Sequence, residues 1–211
     1  SGTGGKPKGV MLSHRNLLHN IRGAQGVLRE LGLENNIFLS FLPLSHSYEH
    51  LAGQFVPISI GAQIYYAEGI DTLATNMIEA RPTIMTAVPR LYDTMYQKIA
   101  QGMKKSAGLK KVMFEKTYEL GKKMYLDKKS LTFYEKILNL ILDKLVRNKI
   151  RCKFGGHLKA MVSGGAPLNP DVGIFFTALG IPILQGYGQT ETAPLISANL
   201  PSNARMDTVG P

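Results

Sequence analysis

Three short stretches of this chain carry residues whose types and order suit a charged ligand. Residues 1–9 read SGTGGKPKG. Gly2, Gly4 and Gly5 leave backbone N–H groups bare to curl around an anion. Ser1 and Thr3 add hydroxyl donors, and Lys6 and Lys8 add charge, as a polyphosphate requires. The stretch is not a Walker A loop, because no Gly is followed by four residues and then Gly-Lys-Ser/Thr. A flexible Gly-Lys linker has the same composition. Residues 163–167 read SGGAP. Gly164, Gly165 and Ala166 are small enough to let a flat ligand approach the backbone, and a tight strand–helix turn reads the same way. Residues 185–191 read QGYGQTE. Gly186, Tyr187 and Gly188 can present a ring from a tight turn. Thr190 offers a hydroxyl, and Glu191 a hard carboxylate oxygen of the kind Mg²⁺ prefers. A dinucleotide fingerprint fails here, since Glu191 stands where the third Gly belongs and would repel a pyrophosphate.

The elements around these loops alternate. Ser13 reads as the N-cap of a helix from His14 to about Leu31. Residues 36–42 read as a buried strand stopped by Pro43, and a polar loop over residues 45–50 leads into an apolar helical stretch. Residues 63–66 form a short strand, and Asp71 caps a helix over 72–80. Residues 83–88 form a strand, and Pro89 sits in the first turn of the next helix. Residues 158–162 and 181–184 are strands flanking a helix that starts at Asn169 or Asp171 and ends at Leu179. Strands alternating with helices predict an α/β fold, a layered, largely parallel sheet with flanking helices. The loops then fall at strand ends, where open α/β sheets place ligands.

Residues 98–159 break the pattern with 17 Lys and Arg against 5 acids, while the rest of the 211 residues holds 8 against 10, so the overall net charge of +10 describes one segment. Residues 98–151 read as helical. Tyr134, Ile137, Leu138, Ile141, Leu145 and Val146 recur at three- and four-residue spacing and predict one apolar face. That face either packs on the domain or lies on an anionic membrane surface. The aromatics Phe114, Tyr118, Tyr125, Phe133 and Tyr134 sit at helical spacings that predict core packing, which argues against nucleic acid. The single cysteine, Cys152, excludes a disulfide framework and a cysteine-built metal site, and suits a reducing cytosol. No segment reads as a membrane span or signal peptide, and both ends read as cut.

The ordered set SGTGGKPKGV, LPLSHSYEH, VPRLYDTMY, SGGAPL and GYGQTE resembles the adenylate-forming superfamily of acyl-CoA synthetases, adenylation domains and luciferases. LPLSHSYEH, VPRLYDTMY and the basic insertion (about 98–153) resemble the long-chain fatty acyl-CoA synthetase branch. The resemblance implies that residues 1–211 are a central piece of the large N-terminal AMP-binding domain. The family's ribose-binding aspartate and its C-terminal, lysine-bearing domain have no match here. It further implies that Ser1–Lys8 hold the ATP phosphates and that Gly164, Gly165 and Ala166 line the adenine. Tyr187 stacks on the adenine between Gly186 and Gly188, and Thr190 contacts phosphate. Glu191 binds Mg²⁺, and His46 lies near the acyl carboxylate. Gly4 replaces a threonine usual in the family and removes one hydroxyl.

The activity implied is ATP-dependent conversion of a long-chain fatty acid to an acyl-adenylate, then transfer to CoA. A fatty acyl-AMP ligase that does not use CoA is one rival reading, and a non-catalytic nucleotide- or membrane-binding remnant is another. The implied partners are ATP, Mg²⁺, CoA and fatty acid. The location read from the sequence is cytoplasmic, and the basic segment leaves open a peripheral contact at the inner membrane face as the alternative to packing on the domain. His14, His19, His50 and His157 have no partner visible from spacing and read as cap, surface or packing residues.

Overall fold

The structure, a computed structural model, describes residues 6, 8–127 and 129–210. The helix α1 (His14–Arg29) opens with the expected cap: Ser13 accepts the Asn16 N–H, and Asn16 reaches back to the Ser13 N–H. Next come β1 (Ile37–Ser40) and a helical run in three parts: the turn α2 (Ser47–Glu49), a π-helical segment (His50–Phe55) and α3 (Val56–Ser59). The helical run thus begins inside the stretch expected to be a polar loop, because the His46 side chain caps it by accepting the Tyr48 N–H. Then follow β2 (Gln63–Tyr66), α4 (Leu73–Ala80), β3 (Ile84–Ala87) and α5 (Pro89–Lys104). Pro89 takes the first position of α5, as expected. Asp71 does not cap α4: Thr72 holds that position, with no side-chain cap bond.

The basic segment folds as α6 (Leu109–Leu126), α7 (Phe133–Leu142), a second π-helical segment (Asp143–Arg147) and α8 (Asn148–Lys153). The chain continues through β4 (Ala160–Ser163), α9 (Pro170–Ala178), β5 (Ile183–Gly188) and β6 (Leu195–Ala198). Asn169, not Asp171, caps α9.

The strands form one six-stranded sheet in the order β2-β1-β3-β4-β5-β6. The first five pair in parallel and β6 runs antiparallel to β5. The layered, largely parallel architecture stands as read. Residues alternate between faces along each strand. Phe38 and Ile84 join Ile21 and Leu28 of α1 with Leu51 and Val56 on one face. Leu39 and Met85 join Met77, Tyr92, Phe176 and other residues of α4, α5 and α9 on the opposite face. Both faces are covered, which is why β3 is buried at every position.

The helices α6 and α9 approach closely. A side chain at Gly121 would collide with the Ala178 carbonyl. Phe114 and Tyr118 pack on Phe175, and the Tyr125 hydroxyl oxygen accepts the Met206 N–H at 2.7 Å. Phe133 and Tyr134 correct the sequence reading: they are exposed, as are Ile137, Leu138, Ile141 and Leu145. The apolar face of α7 points outward because its other side is claimed by stronger partners. Glu135 pairs with Lys123 at 2.9 Å. Arg147, 5% exposed, donates to the Ala178 and Thr117 carbonyls at 2.8 and 3.0 Å.

Candidate functional site

The sheet order places a topological switch at the carboxyl ends of β1 and β3. The chain leaves β1 toward β2 on one side and returns to β3 on the other, which opens a crevice above the strand ends. Ser40 ends β1, and Thr86 lies one residue before the end of β3. Between them sits a fully buried carboxyl, Glu49. The Ser40 hydroxyl donates to its Oε1 at 2.5 Å, and the Thr86 hydroxyl to its Oε2 at 2.6 Å. Burial raises the Glu49 pKa against the lowering effect of these two hydrogen bonds. Gly53 is required beneath it, since a Cβ there would collide with the Glu49 carboxylate. Glu49 thereby pins α2 and the π-helical segment to two strands at once.

That anchor positions the neighbouring side chains. The Tyr48 hydroxyl donates to the Val162 carbonyl at 2.9 Å, and its ring lies under Gly164. Burial and then the Glu49 charge push the Tyr48 phenol well above its ordinary pKa, so it stays a donor. His46 accepts the Tyr48 N–H on Nδ1 at 3.2 Å, which leaves the proton of the neutral ring on Nε2. Ser47 and Thr190 share a hydrogen bond of 3.1 Å between their hydroxyls, joining α2 to the turn after β5.

These elements enclose a groove of about 500 Å³. Its mouth is edged by His46, Ser47, Gly164, Gly165, Gly186, Tyr187, Gly188, Thr190 and Glu191. Its inner part is apolar, lined by Val27 and Leu28 of α1 with Phe38, Leu51, Val56 and Ile84. Stretches distant in the sequence, 46–48, 164–165 and 186–191, therefore meet at one opening. Ala166 is exposed and does not line the groove, and neither do Lys6 and Lys8. Ser1, Gly2, Thr3, Gly4 and Gly5 lie outside the described residues. A larger depression of about 1070 Å³, between α6, α9 and the chain near Met206, holds none of the candidate site residues.

The strand β5 runs through Gly188, farther than the sequence suggested, because β6 pairs with Gly186 and Tyr187. Gly188 must be glycine: a Cβ would collide with the Pro194 carbonyl. Tyr187 is thus held on a strand, with its ring 45% exposed at the groove and its hydroxyl accepting from the Gln189 amide at 3.0 Å. Among the described residues no cluster of three or more His, Cys, Asp or Glu could hold a metal ion. Glu191 is a single carboxylate at the mouth. That suits a Mg²⁺ ion brought in with phosphate oxygens, which Mg²⁺ accepts in place of an all-protein cage.

The sequence reading missed Ser47, Tyr48 and Glu49, although it quoted the stretch that contains them. A small residue four places after Glu49, Gly53, was the one visible signal of close packing there.

The model of the AMP-binding enzyme family matches residues 1–211. The chain belongs to that family. It is 37% identical over 199 residues to long chain acyl-CoA synthetase 6, peroxisomal, of Arabidopsis thaliana, covering 93% of this chain and 27% of that protein. It is 33% identical over 213 residues to long-chain-fatty-acid–CoA ligase 6 of Mus musculus, covering 100% of this chain and 29% of that one. The chain therefore spans less than a third of these relatives. Among solved structures, ATP-bound MatB from Rhodopseudomonas palustris superposes with a TM-score of 0.63 at 23% identity, over 100% of this chain and 32% of that one. A benzoate CoA ligase from Burkholderia xenovorans gives 0.62 at 24% identity, over 97% and 32%. At these identities the likeness is one of fold. Among the described residues no helix is long and apolar enough to cross a membrane.

Proposed function

We propose that this AMP-binding chain supplies the adenylate-forming groove of a long-chain fatty-acid–CoA ligase, an AMP-forming acid–thiol ligase. The observation behind the reading is the joining of a polar, aromatic-bearing mouth to an apolar interior in one groove. An acyl-adenylate has the same two halves, a nucleotide and a hydrocarbon chain. The names of the relatives favour CoA over another acceptor.

In this reading the fatty carboxylate attacks the α-phosphorus of ATP and pyrophosphate leaves. The CoA thiolate then attacks the acyl carbonyl, and AMP leaves. The protein's part is placement and electrostatics, with no covalent bond to the enzyme. Tyr187 offers a ring face for adenine, and the exposed, bare backbone at Gly165 lets the base come close. His46 Nε2–H can donate to the acyl carboxylate at the mouth. The Thr190 hydroxyl, already oriented by Ser47, can donate to a phosphate oxygen. Mg²⁺ held by Glu191 and phosphate oxygens would offset charge on the phosphoryl group. Lys6, Lys8 and the glycines of residues 1–5 would receive the departing pyrophosphate. The reading treats the chain as a central piece of an N-terminal domain. The ribose-contacting aspartate and a catalytic lysine would come from other parts of the full-length protein. It also places the protein in the cytoplasm, where ATP and CoA are at hand.

The test is product analysis with the full-length protein, palmitate, ATP and CoA. Palmitoyl-CoA and AMP are expected, with Glu191→Ala lowering the rate on the order of 100-fold, as removal of a transition-state charge partner does. Palmitoyl-AMP without thioester would make the protein a fatty acyl-AMP ligase, and absence of both products would overturn the reading.

A further inference from the structure

The α7 helix is built inside out for a helix on a globular surface. At 3.6 residues per turn, Phe133, Tyr134, Ile137, Leu138, Leu140 and Ile141 fall within an arc of roughly 160°. All six are exposed, Tyr134 by 82% and Leu140 by 67%. The opposite side carries the charge pairs. Glu135 is held by Lys123 at 2.9 Å, and Asp143 by Arg151 at 2.8 Å. Both acids of residues 133–153 are therefore paired toward the body of the protein. Lys136, Lys144, Lys149 and Lys153 are exposed. What α7 presents outward is apolar and aromatic, bordered by positive charge.

A contiguous apolar helix face of this kind marks an interaction site. The helix does not need a partner in order to form. The Thr132–Glu135 capping box closes its start, and Arg147 fixes its end to the Thr117 and Ala178 carbonyls. The face is thus preformed.

We propose that this outward face of α7 docks on an anionic lipid surface, with Phe133, Tyr134, Ile137 and Ile141 entering the interface and Lys136 and Lys144 meeting the headgroups. Charge decides for this occupant. A helix with bulky apolar residues on one arc, lysines beside them and its acids neutralised behind matches the chemistry of an interfacial helix. A second copy of the chain would bring the same positive border against itself and be repelled. The inference does not depend on the proposed ligase activity.

The chain contains no tryptophan, so Tyr134→Trp gives a single reporter. The experiment mixes that variant with vesicles of phosphatidylcholine alone or with about a third phosphatidylserine, at low salt, and reads emission and co-sedimentation. The expected result is a blue shift and pelleting with the anionic vesicles only. The paired change Ile137→Asn with Ile141→Asn should weaken binding about tenfold or more, and Lys136→Glu with Lys144→Glu should do the same. Circular dichroism confirms that each variant is folded. Repeating the measurement with the full-length protein checks that the rest of the molecule leaves the face open. No pelleting at low salt, binding unchanged in both pairs of variants, or self-association abolished by Ile137→Asn with Ile141→Asn would each overturn the proposal.

Discussion

Replacing Glu49 by Gln tests the anchor beneath the groove. The two side chains have nearly the same shape, so the change removes an ionisable proton with little change in volume. The Glu49 carboxyl has no exposed surface and its pKa is raised, burial outweighing the Ser40 and Thr86 hydrogen bonds. In the unfolded chain an ordinary Glu loses its proton near pH 4.3. Above that pH the unfolded state has released a proton that the folded state retains. Stability of the wild type therefore falls as pH rises, by about 1.4 kcal/mol per pH unit, until the folded carboxyl also ionises. The contribution is complete below the unfolded pKa and is lost through the folded one. Gln has no such dependence. The carboxyls of Glu135, Asp143 and Asp207 are held low and act with the opposite sign in acid, but they are common to both proteins and cancel in the difference. Urea titrations of both proteins from pH 4.5 to 8 give that difference. The wild type should lose ground to Glu49→Gln as pH rises and then level off. A difference that stays flat, or that grows in the wild type's favour, would refute the reasoning. It would mean that Glu49 is folded as a carboxylate held by its two hydroxyl donors.

Substitutions at two further positions probe other joints of the structure. Arg147→Ala removes the donors to the Ala178, Thr117 and Asn139 oxygens, including the buried bond to the Ala178 carbonyl at the end of α9. It should cost about 2–4 kcal/mol in denaturant titration. Arg147→Met, which restores volume alone, should recover only part. At Gly164, an added Cβ would sit 2.9 Å from Tyr48 Cζ and 3.1 Å from Cε2, inside ordinary contact distance. Because the Tyr48 hydroxyl is tied to Val162, Gly164→Ala should cost about 1–3 kcal/mol of overpacking. In the full-length protein it should raise KM for ATP more than it lowers kcat.

Local signals carried much of the fold. Ser13 as a helix cap, Pro89 at a helix start and the short run Gln63–Tyr66 each fix their element by nearby chemistry, and each was legible. The strand β6 was not. Leu195–Ala198 has four residues and no clear alternation, and it pairs with β5 because Gly188 lets the second backbone come close. The periodicity of α7 was visible, but its direction was not. Which side faces inward is decided by Lys123 and by the carbonyls of Thr117 and Ala178, on other helices. The site divides in the same way. Gly164, Tyr187, Thr190 and Glu191 stand in stretches whose composition announces chemistry, and they line one groove. Glu49 reads as one more polar residue until the topology brings Ser40 and Thr86 to either side of it. Tyr92, inside the quoted stretch VPRLYDTMY, is wholly buried against Phe176 and belongs to the core.

The central claim is that residues 46–48, 164–165 and 186–191 assemble one nucleotide site. Calorimetric titration of this chain with Mg²⁺-ATP, beside Tyr187→Ala and Glu191→Ala, tests it most directly. The account predicts that the wild type binds, that loss of the Tyr187 ring weakens binding about tenfold or more, and that Glu191→Ala weakens it only when Mg²⁺ is present. No binding, or equal binding by all three proteins, would contradict it.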